Sequence, residues 1–394
     1  MTPRDTPPPR WQRLQRLALL VGLVAAGLCV LGYFVNPAQF FRSYLMAYMF
    51  WLGVTLGCLA ILMLHHLVGG GWGMLIRRVL EAATRLLPLL VVLFIPLIFG
   101  IPELYIWAHP SPGKEPGLSA LQQVYLQIPF FLGRAALYFA AWLGLAFFLN
   151  RWSRQQEQTP EPEFLRTRQR RLGLLSGGGL VLYGLTITFA GIDWMMSLEP
   201  QWFSTTYGCL VGTGQLLVGM AFAILATSWL AQDEPYASAA VPELVHDLGN
   251  LLLAFVMLWA YIAFTQLLII WSGDLPDEEV WYLHRAYGGW IWVAVVLIVF
   301  QFAVPFFLLL LRRITYRVQH LAMVAAVLFC AHLVDVFWLV RPAFFPGRLH
   351  VHWLDFMAPM AVGGLWLAAF LWQLPRRSLL PWYELRLQEA MQHG

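Results

Sequence analysis

Ten stretches of this chain stay apolar for roughly 20 residues, the length a helix needs to cross about 30 Å of hydrocarbon, and no other feature limits the fold as strongly. They lie near residues 17–35, 44–67, 86–107, 124–149, 172–194, 205–230, 248–271, 288–311, 319–340 and 353–373. Backbone polar groups cannot go unsatisfied in lipid, so each run must be helical. Hydrophobic residues make up 60% of the chain and charged residues 12%, against roughly 45–50% and about 25% in soluble domains. The expected class is therefore an all-α polytopic membrane protein: one integral membrane domain over residues 1–394 with ten transmembrane helices.

Basic residues set the orientation. The N-terminus, residues 77–85, 151–171 and 312–317, and the C-terminus together hold 19 Lys and Arg. The opposite connections hold five: Arg42, Lys114, Arg285, Arg341 and Arg348. This asymmetry puts both termini in the cytoplasm and leaves Arg134 as the one basic residue inside a run. The net charge of +4 reflects the same bias and gives no reason to expect nucleic acid as a partner; the partner is lipid. The first run follows a basic, Pro-rich leader like that of a signal sequence, but no small-residue cleavage site follows, so it reads as a retained helix. Cys29, Cys58, Cys209 and Cys330 all fall inside runs without paired spacing. That excludes a disulfide framework, a zinc site, c-type haem attachment and an iron–sulfur cluster on this chain.

One motif occurs twice. Asp193-Trp194-Met195-Met196-Ser197-Leu198-Glu199-Pro200-Gln201-Trp202-Phe203 closes the fifth run, and Asp335-Val336-Phe337-Trp338-Leu339-Val340-Arg341-Pro342-Ala343-Phe344-Phe345 closes the ninth. Weaker echoes keep the same order: Leu104 to Trp107 against Leu268 to Trp271, and Val124-Tyr125 against Val280-Trp281. The offsets of 164, 156 and 142 residues shrink along the chain, as shortened loops require. Runs two to five (44–195) and six to nine (205–341) thus read as two parallel four-helix repeats flanked by helices 1 and 10. Glu199 in one copy matches Arg341 in the other, so the two helix ends are expected to pair across an internal axis.

Within the runs, Gly53 and Gly57 are spaced for close helix approach, and Pro88 and Pro96 should kink the third helix. His65 and His66 read as an interfacial pair beside the turn Gly69 to Gly71. Residues 150–171 and 231–247 read as cytoplasmic linkers, with Asp233, Glu234 and Glu243 making the second acidic. At its end His246 and Asp247 fit either proton collection or, for Asp247, a helix N-cap. After Pro381, residues 382–392 fit a short amphipathic surface helix.

Depth decides which polar groups matter. At 1.5 Å per residue, Asp193 falls near the outer interface and Asp335 somewhat deeper, with His332 one turn below Asp335 on the same face. His332 and Asp335 are placed to exchange a proton. Arg134 in the fourth run requires protein, water or a carboxylate, as a functional group or as a structural ion pair. Glu199, His284, Arg285, Arg341, His350, His352 and Asp355 gather at the outer rim. Bis-histidine b-type haem is set aside, because only His332 is embedded.

The stretch Gly191 to Gly208, with its echo at Asp335 and the ten-helix plan, resembles the ActF-type subunit of bacterial alternative complex III, a relative of the NrfD and polysulfide-reductase membrane anchors. The resemblance implies a multi-pass subunit of a quinol:electron-acceptor oxidoreductase in the bacterial inner membrane. A second NrfD-like ten-helix subunit, an iron–sulfur subunit and haem c subunits would be its partners. Haem c and iron–sulfur clusters would sit on those partner chains, with no catalytic residue on this one. A quinone or quinol contact, assembly and proton translocation would be its tasks. From the residues alone, a secondary transporter with internal repeats and a structural scaffold remain open.

Overall fold

The computed structural model describes residues 9–108, 118–158, 161–234 and 236–380, and these are mainly helical, with no strand among them. The long helices are α1 (Pro9–Val35), α2 (Pro37–Val68), α3 (Trp72–Thr84), α4 (Leu87–Phe99), α5 (Ile128–Gln158), α6 (Pro162–Trp194), α7 (Tyr207–Leu230), α8 (Pro242–Gly273), α9 (Trp290–Leu309), α10 (Val318–Val340) and α11 (Leu354–Gln373). Among the described residues nine are long and apolar enough to cross a membrane, and α3 with α4, bent by 42°, would make a tenth if counted as one span. Such a set of long apolar helices fits a multi-pass membrane protein.

The core is built on α2 and α7, which are hydrophobic all round and buried nearly all round. Lipid tails are as apolar as leucine, so helices in a bilayer hold together by close packing at small residues. Gly57 shows this: a Cβ there would collide with the Gln215 carbonyl oxygen of α7, and one on Gly219 would come within 2.6 Å of the Gly57 backbone. Gly53 makes no such approach, its Cβ position lying 3.4 Å from the Gln215 side chain. On the periphery α1 packs along α11, where a Cβ on Gly22 would meet the Leu365 nitrogen at 2.8 Å.

Several expected boundaries shift, each for a local reason. Residues 77–85 are not a loop: α3 is a buried amphipathic helix, entered after α2 ends on left-handed Gly69 and Gly70. The bend between α3 and α4 falls at Arg85 and Leu86, just before Pro88, and Pro96 sits inside α4. Residues 150–171 are not a linker either, since α5 runs on to Gln158 and α6 begins at Pro162. The fourth run divides into a short turn, Ala120–Tyr125, capped by Ser119 and Gln122, and α5. Asp247 does not cap α8, because Pro242 occupies the first turn and Val241 the N-cap. Residues 382–392 and Lys114 lie outside the described residues.

Candidate functional site

Both motif aspartates are buried and each is held by the helix before it. Asp193 accepts two hydrogen bonds from Arg134, from Nε at 2.8 Å and from Nη2 at 2.9 Å, and a third from the Tyr138 hydroxyl at 2.8 Å. Arg134 sits six residues past the Ile128 start of α5, nearer the helix end than the sequence placed it. Its guanidinium also stacks on Tyr125 at 3.7 Å and donates to the Tyr125 carbonyl at 2.9 Å. Asp193 is wholly buried, so the two side chains form a closed bidentate pair.

Asp335 has a different neighbourhood. Gln301 Nε2 donates to it at 3.2 Å, and His332 Nδ1 lies 3.3 Å from its Oδ2 in a geometry that makes no hydrogen bond. Gln301 is aimed by its helix. Proline at 305 cannot donate to the carbonyl four residues back, and α9 takes the π register over Ile298–Ala303, with the Val304 N–H reaching Val299. His332 Nδ1 and Gln301 Oε1 have no hydrogen-bond partner among the described residues, though both are buried. Beside them a cavity of about 10 Å³ is lined by Gln215, His332 and Asp335 among apolar side chains, and Gln215 accepts from the Tyr183 hydroxyl at 2.9 Å. That volume is at the lower limit for one water position.

The expected Glu199–Arg341 pair does not form. Glu199 binds Arg285 at 3.0 Å and His284 at 2.9 Å. Arg285 also donates to the carbonyls of Trp338 at 3.3 Å and Leu339 at 3.1 Å, covering the C-terminal turn of α10. The two motif ends therefore do lie at one end of the bundle, joined through Arg285, whose guanidinium stacks on Trp281 at 3.6 Å. Burial pushes the Glu199 carboxyl up, but Arg285 and His284 more than offset this and hold it below the usual carboxylate range. Arg341 is wholly buried and faces Asp355 at 3.3 Å. Asp355 in turn accepts from Ser43 at 2.6 Å and from the His352 N–H at 2.8 Å, while the His350 ring lies 3.2 Å from Arg341. Spacing along a helix fixes depth and leaves azimuth free, which is why the nearer cation, Arg285, takes Glu199.

At the opposite end His246 Nδ1 pairs with the Thr315 hydroxyl at 2.8 Å and stacks on Tyr316, and Asp247 is exposed one turn into α8. Neither is hydrogen-bonded to His332 or Asp335 among the described residues. The cluster that sequence reasoning missed is here too. Glu81 is fully buried and binds Arg77 at 3.1 Å, Arg78 at 2.7 Å and Arg377 at 3.1 Å, with Ser153 donating to it as well. The four- and three-residue spacings of Arg77 and Arg78 to Glu81 could have signalled it, whereas Ser153 and Arg377 come from far along the chain.

Compared with protein-family models and with the curated proteins, the sequence matches none.

Proposed function

We propose that this chain is an integral membrane subunit of a quinol:electron-acceptor oxidoreductase in a bacterial cytoplasmic membrane. In this reading it crosses the bilayer ten times, in two parallel four-helix repeats with helices 1 and 10 outside them, and both termini are cytoplasmic. Haem c, iron–sulfur clusters and the second ten-helix subunit belong to partner chains. Its own tasks are to hold the assembly together and to pass protons between the bundle interior and the outer face.

The observation that carries the proton reading is the His332–Asp335–Gln301 group. An ionisable pair inside a membrane bundle is costly and calls for a partner or a water-filled cavity. Here the imidazole nitrogen facing Asp335 is unengaged, and a cavity adjoins both groups. Asp335 lies five residues before the end of α10, about 8 Å from the outer end of the helix. Below it, Leu328, Ala325 and Leu321 of α10 are buried and apolar. Val336, Leu339 and Val340 above it are buried and apolar as well, so the outer side is chosen on distance: it is the nearer end of the helix. Asp193 is less suited to the same task, because Arg134 and Tyr138 donate three hydrogen bonds to its carboxylate.

The assembly reading is tested by a mild-detergent pull-down at native expression level, with subunit identification and a reduced-minus-oxidised visible spectrum. Co-purification of haem c and iron–sulfur subunits is the expected result. A lone chain without a redox spectrum, under conditions that preserve other respiratory complexes, would overturn the proposal in favour of a secondary transporter.

A further inference from the structure

A groove of about 1150 Å³ opens at the arginine-rich end of the bundle, between the start of α4, the second half of α5 and the end of α11. Its polar part is built by Arg85, Arg151, Arg154, Arg376 and Arg377, with one carboxylate, Glu157, on its wall. Glu157 is already engaged by the buried Arg78 at 2.6 Å. Two of the arginines are fixed in place by Asn150: Arg85 Nε donates to its side chain at 2.9 Å and Arg377 Nη2 to its carbonyl at 2.7 Å. The terminal nitrogens of Arg85 have no hydrogen-bond partner among the described residues, and their distance to Glu81 is 3.9 Å. Neither Arg151 nor Arg154 has an ion-pair partner among the described residues, and Arg376 only stacks on Trp372, at 3.2 Å.

The other part of the groove is apolar. Pro88 of α4 and Leu143, Ala146 and Phe147 of α5 line it, and the α5 residues lie about one to three turns before Arg151 and Arg154, toward the middle of the helix. A Cβ on Gly144 would meet no atom within 4 Å, so this wall is open. A pocket with convergent guanidinium groups at one level and an open apolar trough running from it toward the bundle middle has the charge and shape of a phospholipid. We propose that this groove holds one anionic phospholipid, its phosphate bound by Arg85, Arg154 and Arg376 and an acyl chain laid along Gly144 and Phe147. The proposal stands independently of any role in quinol oxidation.

The test is native mass spectrometry of the delipidated full-length chain, titrated with dioleoylphosphatidylglycerol, dioleoylphosphatidylcholine or inorganic phosphate. Phosphatidylglycerol should bind at least about tenfold more tightly than phosphatidylcholine. The double variant Arg154→Gln/Arg376→Gln should weaken it about thirtyfold, from the loss of two guanidinium contacts. Gly144→Leu, placed where the backbone has room, should weaken lipid binding and leave any phosphate binding untouched. Equal affinity for the two lipids, or phosphatidylglycerol binding unchanged in Gly144→Leu, would overturn the proposal. Inorganic phosphate binding as tightly as the lipid would also overturn it, and would assign the groove to a soluble anion.

Discussion

Replacing Arg134 by Met tests whether the first motif is held by a buried ion pair. The substitution keeps most of the side-chain volume and removes two charge-assisted hydrogen bonds to Asp193, at 2.8 and 2.9 Å, leaving only Tyr138 on a wholly buried carboxyl. Two such bonds at about 1.5–3 kcal/mol each give about 3–6 kcal/mol, close to the ~3–5 kcal/mol lost when one partner of a buried pair is removed. Arg134 is only 17% exposed, so solvent screening takes little from this figure. The assay is reversible unfolding in mixed micelles for Arg134→Met, Asp193→Asn and the double variant. Arg134→Met should lose about 3–5 kcal/mol, and the double variant should fall short of the summed single losses by ~2 kcal/mol or more. A single loss below ~1 kcal/mol with additive effects would refute the reasoning, because exposed pairs behave that way.

Two further expectations concern packing and pH. Gly57→Val should abolish the folded chain, since any Cβ there meets the α7 backbone, whereas Gly53→Ala should change stability by less than about 1 kcal/mol; folded yield by size-exclusion chromatography separates the two. Glu199 has a depressed carboxyl, so its pairing with Arg285 contributes stability that is fully present above about pH 4.3 and is lost as pH falls through its lowered folded value. Glu199→Gln should flatten that acid limb of the stability profile, and an unchanged limb would show that the pair contributes nothing.

The helices were legible where apolar length alone decides: the expected runs 319–340 and 353–373 match Val318–Val340 and Leu354–Gln373 within a residue at each end. Charge was the misleading signal. Arg77, Arg78 and Glu81 looked like a solvated loop because the groups that let them be buried, Ser153, Gln156 and Arg377, lie far away in sequence. The start of α8 was readable and was passed over, for Val241-Pro242-Glu243 places proline and an acid in the first turn. His332 and Asp335 were found because three residues on one helix bring them together, whereas Gln301 reaches Asp335 from the π-register stretch upstream of Pro305. Glu199 shows the limit: its partner depended on the short helix Pro276–Ala286, which folds Arg285 over the end of α10.

The central claim is that His332 and Asp335 exchange protons with the outer side, and proton release by the assembled complex in sealed vesicles measures it most directly. His332→Asn and Asp335→Asn, in complexes shown to keep every subunit, should leave electron transfer running in uncoupled vesicles while outer-side proton release per electron falls. Wild-type proton release and turnover in both variants would contradict the account and leave the pair as packing within a structural subunit.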